Sequence, residues 1–97
     1  MIIKEEIIEV LKNIEDPELK IDLWTLGLIY GVELDEVEQI AKIIMTFTTP
    51  LCPYGPTMVE EIKKKIVELG AKAVEVDVVF TPPWKPSEEV KMMLGLT

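Results

Sequence analysis

Cys52 is the only thiol in this 97-residue chain. Its neighbours, Pro50-Leu51-Cys52-Pro53-Tyr54-Gly55-Pro56, are too rich in proline for either regular element, so they read as a stiff loop. A β-branched apolar run precedes the loop and a helical pattern follows it. The sulfur is therefore expected at the carboxyl end of a strand, where open α/β sheets carry their sites. Unpaired amides at a helix start carry partial positive charge and ease ionisation of a nearby thiol. Proline removes the amides at 53 and 56 and leaves Tyr54, Gly55 and Thr57 as donors. A thiolate so held can ligate a metal or attack an electrophile. Taken alone, a single cysteine is more often a small buried hydrophobe. The rigid flanks favour the functional reading, because stiff backbone is how a loop holds a side chain in place.

Three other groups join this sulfur as candidates. Thr48 and Thr49 lead into the loop, and Thr46 shares a strand face with Thr48; β-branching alone would also place threonines here. Asp16-Pro17-Glu18-Leu19 is a carboxylate pair held by a proline, whose plainer reading is a helix stop with a capping Asp. Trp84 stands between prolines in Thr81-Pro82-Pro83-Trp84-Lys85-Pro86, where it either covers the core edge or anchors a partner. Thr81 and Leu19 are its companions as candidate partner contacts. The chain has no His, so Ser-His-Asp and Cys-His catalysis and a Cys/His zinc site are excluded. Neither a Walker A motif nor GxGxxG occurs, which sets aside a stand-alone NTPase or dehydrogenase.

The elements that must position these groups follow from periodicity. Ile3, Ile7, Val10, Leu11 and Ile14 recur at helical spacing and predict a helix over 2–14. Residues 28–34 and 40–48 read as strands joined by the hairpin turn Asp35-Glu36-Val37-Glu38. Ala41, Ile43, Met45 and Phe47 share one face of the second strand, with Lys42 on the other. Thr57 with Glu60 resembles a capping box, and Val59, Ile62, Ile66 and Leu69 continue a helix that Gly70 ends. Val74, Val76, Val78 and Phe80 alternate with Glu75 and Asp77, the signature of a strand with one wet face. A short helix from Ser87 to Leu94 closes at Gly95. The order helix, strand, strand, helix, strand, short helix makes one α/β (two-layer α+β) domain over 1–97. Its sheet is mixed and three-stranded, with helices on one face. The strand–helix–strand crossover makes the second and third strands parallel and should be right-handed. This pattern leaves the strand order open.

Charge narrows the partners. Ten Lys against eighteen Asp and Glu give a formal net charge of −8, which repels nucleic acid and anionic membranes. Lys63-Lys64-Lys65 sits among Glu60, Glu61 and Glu68 and reads as a solvated helix face. Met1-Ile2-Ile3 runs directly into Lys4-Glu5-Glu6, so no secretory signal is expected. The longest uncharged stretch, Ile43 to Val59, contains Pro50, Pro53, Gly55 and Pro56 and cannot form a membrane-spanning helix. One cysteine allows no internal disulfide, and the cytoplasm is the expected compartment. All the cations are Lys, while Asn and Gln occur once each, a composition like that of thermophile proteins.

Asp16-Pro17-Glu18-Leu19, Leu26-Gly27-Leu28-Ile29-Tyr30, Thr48-Thr49-Pro50-Leu51-Cys52-Pro53, Thr81-Pro82-Pro83-Trp84 and Leu94-Gly95-Leu96 occur in this order. Together they resemble the SufT/PaaD-like family of small iron–sulfur cluster assembly factors, also called metal–sulfur cluster biosynthesis proteins. The resemblance spans nearly the whole chain and implies an α/β domain acting in cytoplasmic iron–sulfur protein maturation. It implies a site at Asp16, Glu18, Thr48, Thr49 and Cys52, all of which match the motif. Such proteins occur beside the SUF assembly system, in a phenylacetyl-CoA ring-hydroxylation complex, and fused to P-loop scaffold ATPases.

The expected function is an adaptor that docks on a cluster scaffold or recipient and presents Cys52 as a transient iron or cluster ligand. No tightly bound cofactor is expected. Clusters are generally held by four thiolates, so a partner, a second subunit (a homodimer) or a small thiol must supply the rest. One alternative is a thiol enzyme with Cys52 as nucleophile and Asp16 or Glu18 as base, for which only Lys, with Lys85 the candidate, offers a cationic neighbour. Others are a PaaD-like accessory subunit of a multicomponent oxygenase, and a pure interaction module working through Trp84 and the last helix.

Overall fold

The strand Ile40–Met45 (β2) places Ala41, Ile43 and Met45 on one face, and all three are fully buried. In the computed structural model, which describes residues 2–17, 19–47 and 54–95, this strand is the middle of a three-stranded sheet. Ile29–Asp35 (β1) pairs antiparallel on one side and Ala73–Val78 (β3) parallel on the other, giving the order β1-β2-β3. Across the core face, Val32, Ile43 and Val76 lie in one row. Across the opposite face, Glu33, Lys42 and Glu75 lie in another. The alternation thus sorts apolar from charged residues as the period of two requires. The hairpin turn forms because Asp35 Oδ1 accepts the amides of Val37 and Glu38, both at 3.0 Å, and Gln39 takes φ 57°.

Helices Lys4–Leu11 (α1) and Gly55–Leu69 (α3) pack on the core face through Ile7, Leu11, Met58, Ile62 and Ile66. The predicted helix over 2–14 is shorter than its apolar pattern. Lys12 caps it, and Ile14, also buried, has left the helix so that its carbonyl accepts the Leu23 amide at 2.9 Å. The expected capping box at Thr57 is not formed. The helix begins earlier, at Gly55, with Pro56 in its first turn, where the missing N–H is no loss. An added Cβ at Gly55 would stand 2.5 Å from Phe47 Cε2, so only glycine lets the helix start approach that ring.

A short helix, Leu23–Leu26 (α2), is absent from the sequence reading. Asp22 caps it by accepting the Thr25 amide at 2.9 Å, and Gly27 ends it at φ 79°. The strand expected through Phe80 stops at Val78, although the Val79 amide still donates to the Met45 carbonyl. The strand expected over 40–48 stops at Met45, and Thr48 lies outside the described residues. The last helix, Glu88–Leu94 (α4), is capped by Ser87 Oγ and closed by Gly95 as expected; its Val90 is fully buried. No helix among the described residues is long and apolar enough to cross a membrane.

Candidate functional site

Ile29, Met45 and Val78 form one row across the three strands. This row marks the end of the sheet at which β1 begins while β2 and β3 finish. Beyond it the chain supplies three segments: the loop before α2, the residues between β2 and α3, and the residues after β3.

The first segment is tied to the sheet through its backbone. The Leu23 amide donates to the Ile14 carbonyl, the Leu28 amide to the Leu23 carbonyl, and the Thr46 amide to the Leu28 carbonyl. Each link is an obligatory donor satisfied away from water, so Ile14, Leu23 and Leu28 are tied in series to the end of β2. Asp16 is buried at 3% exposure within this loop. Its Oδ1 accepts the Leu19 amide at 3.0 Å, its own amide donates to the Ile21 carbonyl, and its carbonyl accepts the Lys20 amide. Asp16 therefore folds a tight turn and does not cap a helix end, which corrects the plainer of the two readings. Lys20, at φ 60°, completes the turn. Leu19 packs partly against the core, and Glu18 lies outside the described residues.

The third segment crosses the strand ends as a strap. Tyr30 Oη donates to the Pro82 carbonyl at 2.7 Å, and Trp84 Nε1 donates to the Leu26 carbonyl at 2.6 Å. Trp84 is half-buried against the core, whereas Thr81 is exposed. The indole thus carries a fixed fastening, so covering the core edge is one thing it does. Sequence reasoning assigned no role to Tyr30 or Leu26. Their occurrence in one motif, Leu26-Gly27-Leu28-Ile29-Tyr30, was the signal. Trp84→Phe keeps most of the ring but orphans the carbonyl of a buried residue. It should cost about 1–3 kcal/mol, read as a lowered urea midpoint with an unchanged slope; an unchanged midpoint would deny the fastening any weight.

Thr48, Thr49 and Cys52, which join β2 to α3 in sequence, lie outside the described residues. Their described flanks sit at this end: Phe47 follows β2 and packs edge-on to Phe80, with ring centres 6.2 Å apart, and Tyr54 precedes α3. Thr46 is buried, with its hydroxyl 3.4 Å from the Phe47 carbonyl. It is therefore a structural residue of the strand end. Of the predicted site residues, the fold gathers Asp16, Leu19, Thr81 and Trp84 at one end of the sheet. Among the described residues no group of three Cys, His, Asp or Glu side chains is placed to hold a metal ion.

Residues 4–78 match the model of the family described as iron-sulfur cluster assembly protein. Over 98 residues the chain is 41% identical to a protein named Fe-S protein maturation auxiliary factor YitW of Bacillus subtilis, covering 97% of this chain and 95% of that one. It is 37% identical over 86 residues to Fe-S protein maturation auxiliary factor SufT of Staphylococcus aureus, covering 84% of this chain and 97% of that one. The crystal structure of a domain of unknown function, DUF59, from Bacillus anthracis superposes with a TM-score of 0.82 at 34% identity. That match covers 97% of this chain and 92% of the other.

Proposed function

Because the chain belongs to the iron-sulfur cluster assembly protein family, we propose that it is a maturation adaptor or carrier that handles iron or a cluster through Cys52. One observation carries this reading. The start of β1, the ends of β2 and β3, the Asp16 turn and both flanks of the Cys52 stretch converge on one end of the sheet. Open α/β folds carry their sites at such strand ends, and hydrogen bonds hold the described backbone here in place, which supports a working thiolate in the segment that joins β2 to α3. Two of the relatives bear names that say Fe-S protein maturation auxiliary factor, which supports the same role for this chain. Cluster or iron is the cargo, Cys52 its ligand, and Thr48, Thr49, Asp16 and Glu18 the polar surroundings of the sulfur. A single cysteine cannot complete a cluster's ligand set, so the cargo is shared with a cluster scaffold or recipient protein while it passes. The setting is the cytoplasm, where such a thiol stays reduced.

Cells carrying Cys52→Ser test the proposal. The activity of their cluster-dependent enzymes should fall to the level of cells that lack the chain. Activity equal to that of cells with the unaltered chain would refute the role of the sulfur.

A further inference from the structure

The chain holds two Trp, two Tyr and two Phe, and all six belong to segments that meet at the site end of the sheet. Trp24 is in α2, Tyr30 is the second residue of β1, Phe47 follows β2, Tyr54 precedes α3, Phe80 follows β3 and Trp84 lies in the strap. Among the described residues the buried core contains no aromatic side chain; it is made of Ile, Leu, Val, Met and Ala. This distribution inverts the usual economy, since aromatic rings offer the largest apolar area to bury and dominate most cores. Three of the six are substantially exposed: Trp24 at 39%, Tyr54 at 41% and Phe80 at 44%. Trp, Tyr and Phe are the residues that concentrate at protein interfaces and carry their binding energy.

We propose that these aromatics form a docking collar for the protein that shares the cargo with Cys52. The inference rests on the maturation reading and extends it to a surface and a class of partner. The occupant follows from two facts. A ligand set completed by another protein requires that protein's thiolates to reach the Cys52 stretch, so its surface must lie against the residues that flank this stretch in sequence, Phe47 and Tyr54, and against Phe80, whose ring packs on Phe47. The chain carries a net charge of −8, which disfavours a second copy of itself and an anionic membrane and favours a neutral or basic protein. The partner is thus a protein with its own cysteine ligands and without strong negative charge. Its cationic side chains have aromatic faces to lie on, as Lys12 Nζ already does at 6.0 Å from the Trp24 ring centre.

Site-specific photocrosslinking in the host tests the collar. The photoreactive residue p-benzoylphenylalanine is placed at position 80 and, as a control, at exposed position 67 on α3. Position 67 lies near the end of that helix at Gly70, remote from the collar. The proposal expects products with identified proteins that assemble or carry clusters, about tenfold more abundant from position 80 than from 67, the size of a hot-spot effect. Tyr54→Ser should lower the yield from position 80 without lowering the thermal midpoint, since Tyr54 lies at the surface. Products only with a second copy, equal yields from both positions, or none from position 80 would overturn it. A Cys52→Ser background separates the two proposals. Crosslinks that persist while enzyme activity is unaffected would leave the collar standing and remove the thiol. Activity lost without crosslinks from position 80 would do the reverse.

Discussion

Mixed anaerobically with ferric and ferrous iron and sulfide, the purified chain should hold no stable cluster, whereas the same mixture with added glutathione should develop one. Replacing Cys52 by serine should abolish the cluster that forms with glutathione. The stoichiometry of sulfur drives the expectation, because clusters generally take four thiolates and this chain offers one. Glutathione stands in for the thiolates that a protein partner would contribute. The measurement is the visible charge-transfer absorption with iron and sulfide analysed per chain. A cluster that survives gel filtration on the chain alone would mean that the ligand set is complete without a partner.

Ile43→Ala should be the most destabilising single change in the sheet. Ile43 is fully buried in the middle strand, with Val32 and Val76 on either side on the core face. Both neighbouring strands hold their positions, so the lost methyl groups leave a cavity that cannot collapse. Such truncations cost about 2–5 kcal/mol. A domain of this size has roughly 5–15 kcal/mol in total. At roughly 4–8 °C per kcal/mol, the thermal midpoint should fall by roughly 8–40 °C. Ile44→Ala, one residue on, serves as the comparison. Its side chain lies half-buried on the outer face against Gly31, where solvent can fill the space, and its midpoint should fall by much less. Equal losses from the two would contradict the assignment of the faces.

The sheet was legible because its alternation is clean. Ala41, Ile43 and Met45 against Lys42, and the valines of β3 against Glu75 and Asp77, fix both faces and the parallel relation through the crossover. The last helix was equally readable from Ser87 and Gly95. What escaped the pattern was governed by hydrogen bonds with no periodicity. The α2 turn depends on one Asp22 cap and is too short to show a helical repeat. Ile14 continues an apolar series yet leaves the helix, because its carbonyl is needed by Leu23. Proline read as a breaker before α3, although in a first turn it starts a helix. For the candidate site, residue types indicated Asp16 and Trp84, but not how they are held. The Asp16 turn and the Trp84–Leu26 bond join residues 3 and 58 positions apart, and only folding brings the second pair together.

The rate at which iodoacetamide alkylates the native chain tests most directly whether the sulfur is available at the sheet end. The account predicts a Cys52 rate within about tenfold of that for the urea-unfolded chain, because a thiol that passes cargo to another protein must be reachable without unfolding. A native rate slower by about a thousandfold or more, rising only as urea opens the fold, would show a buried structural sulfur and contradict the account.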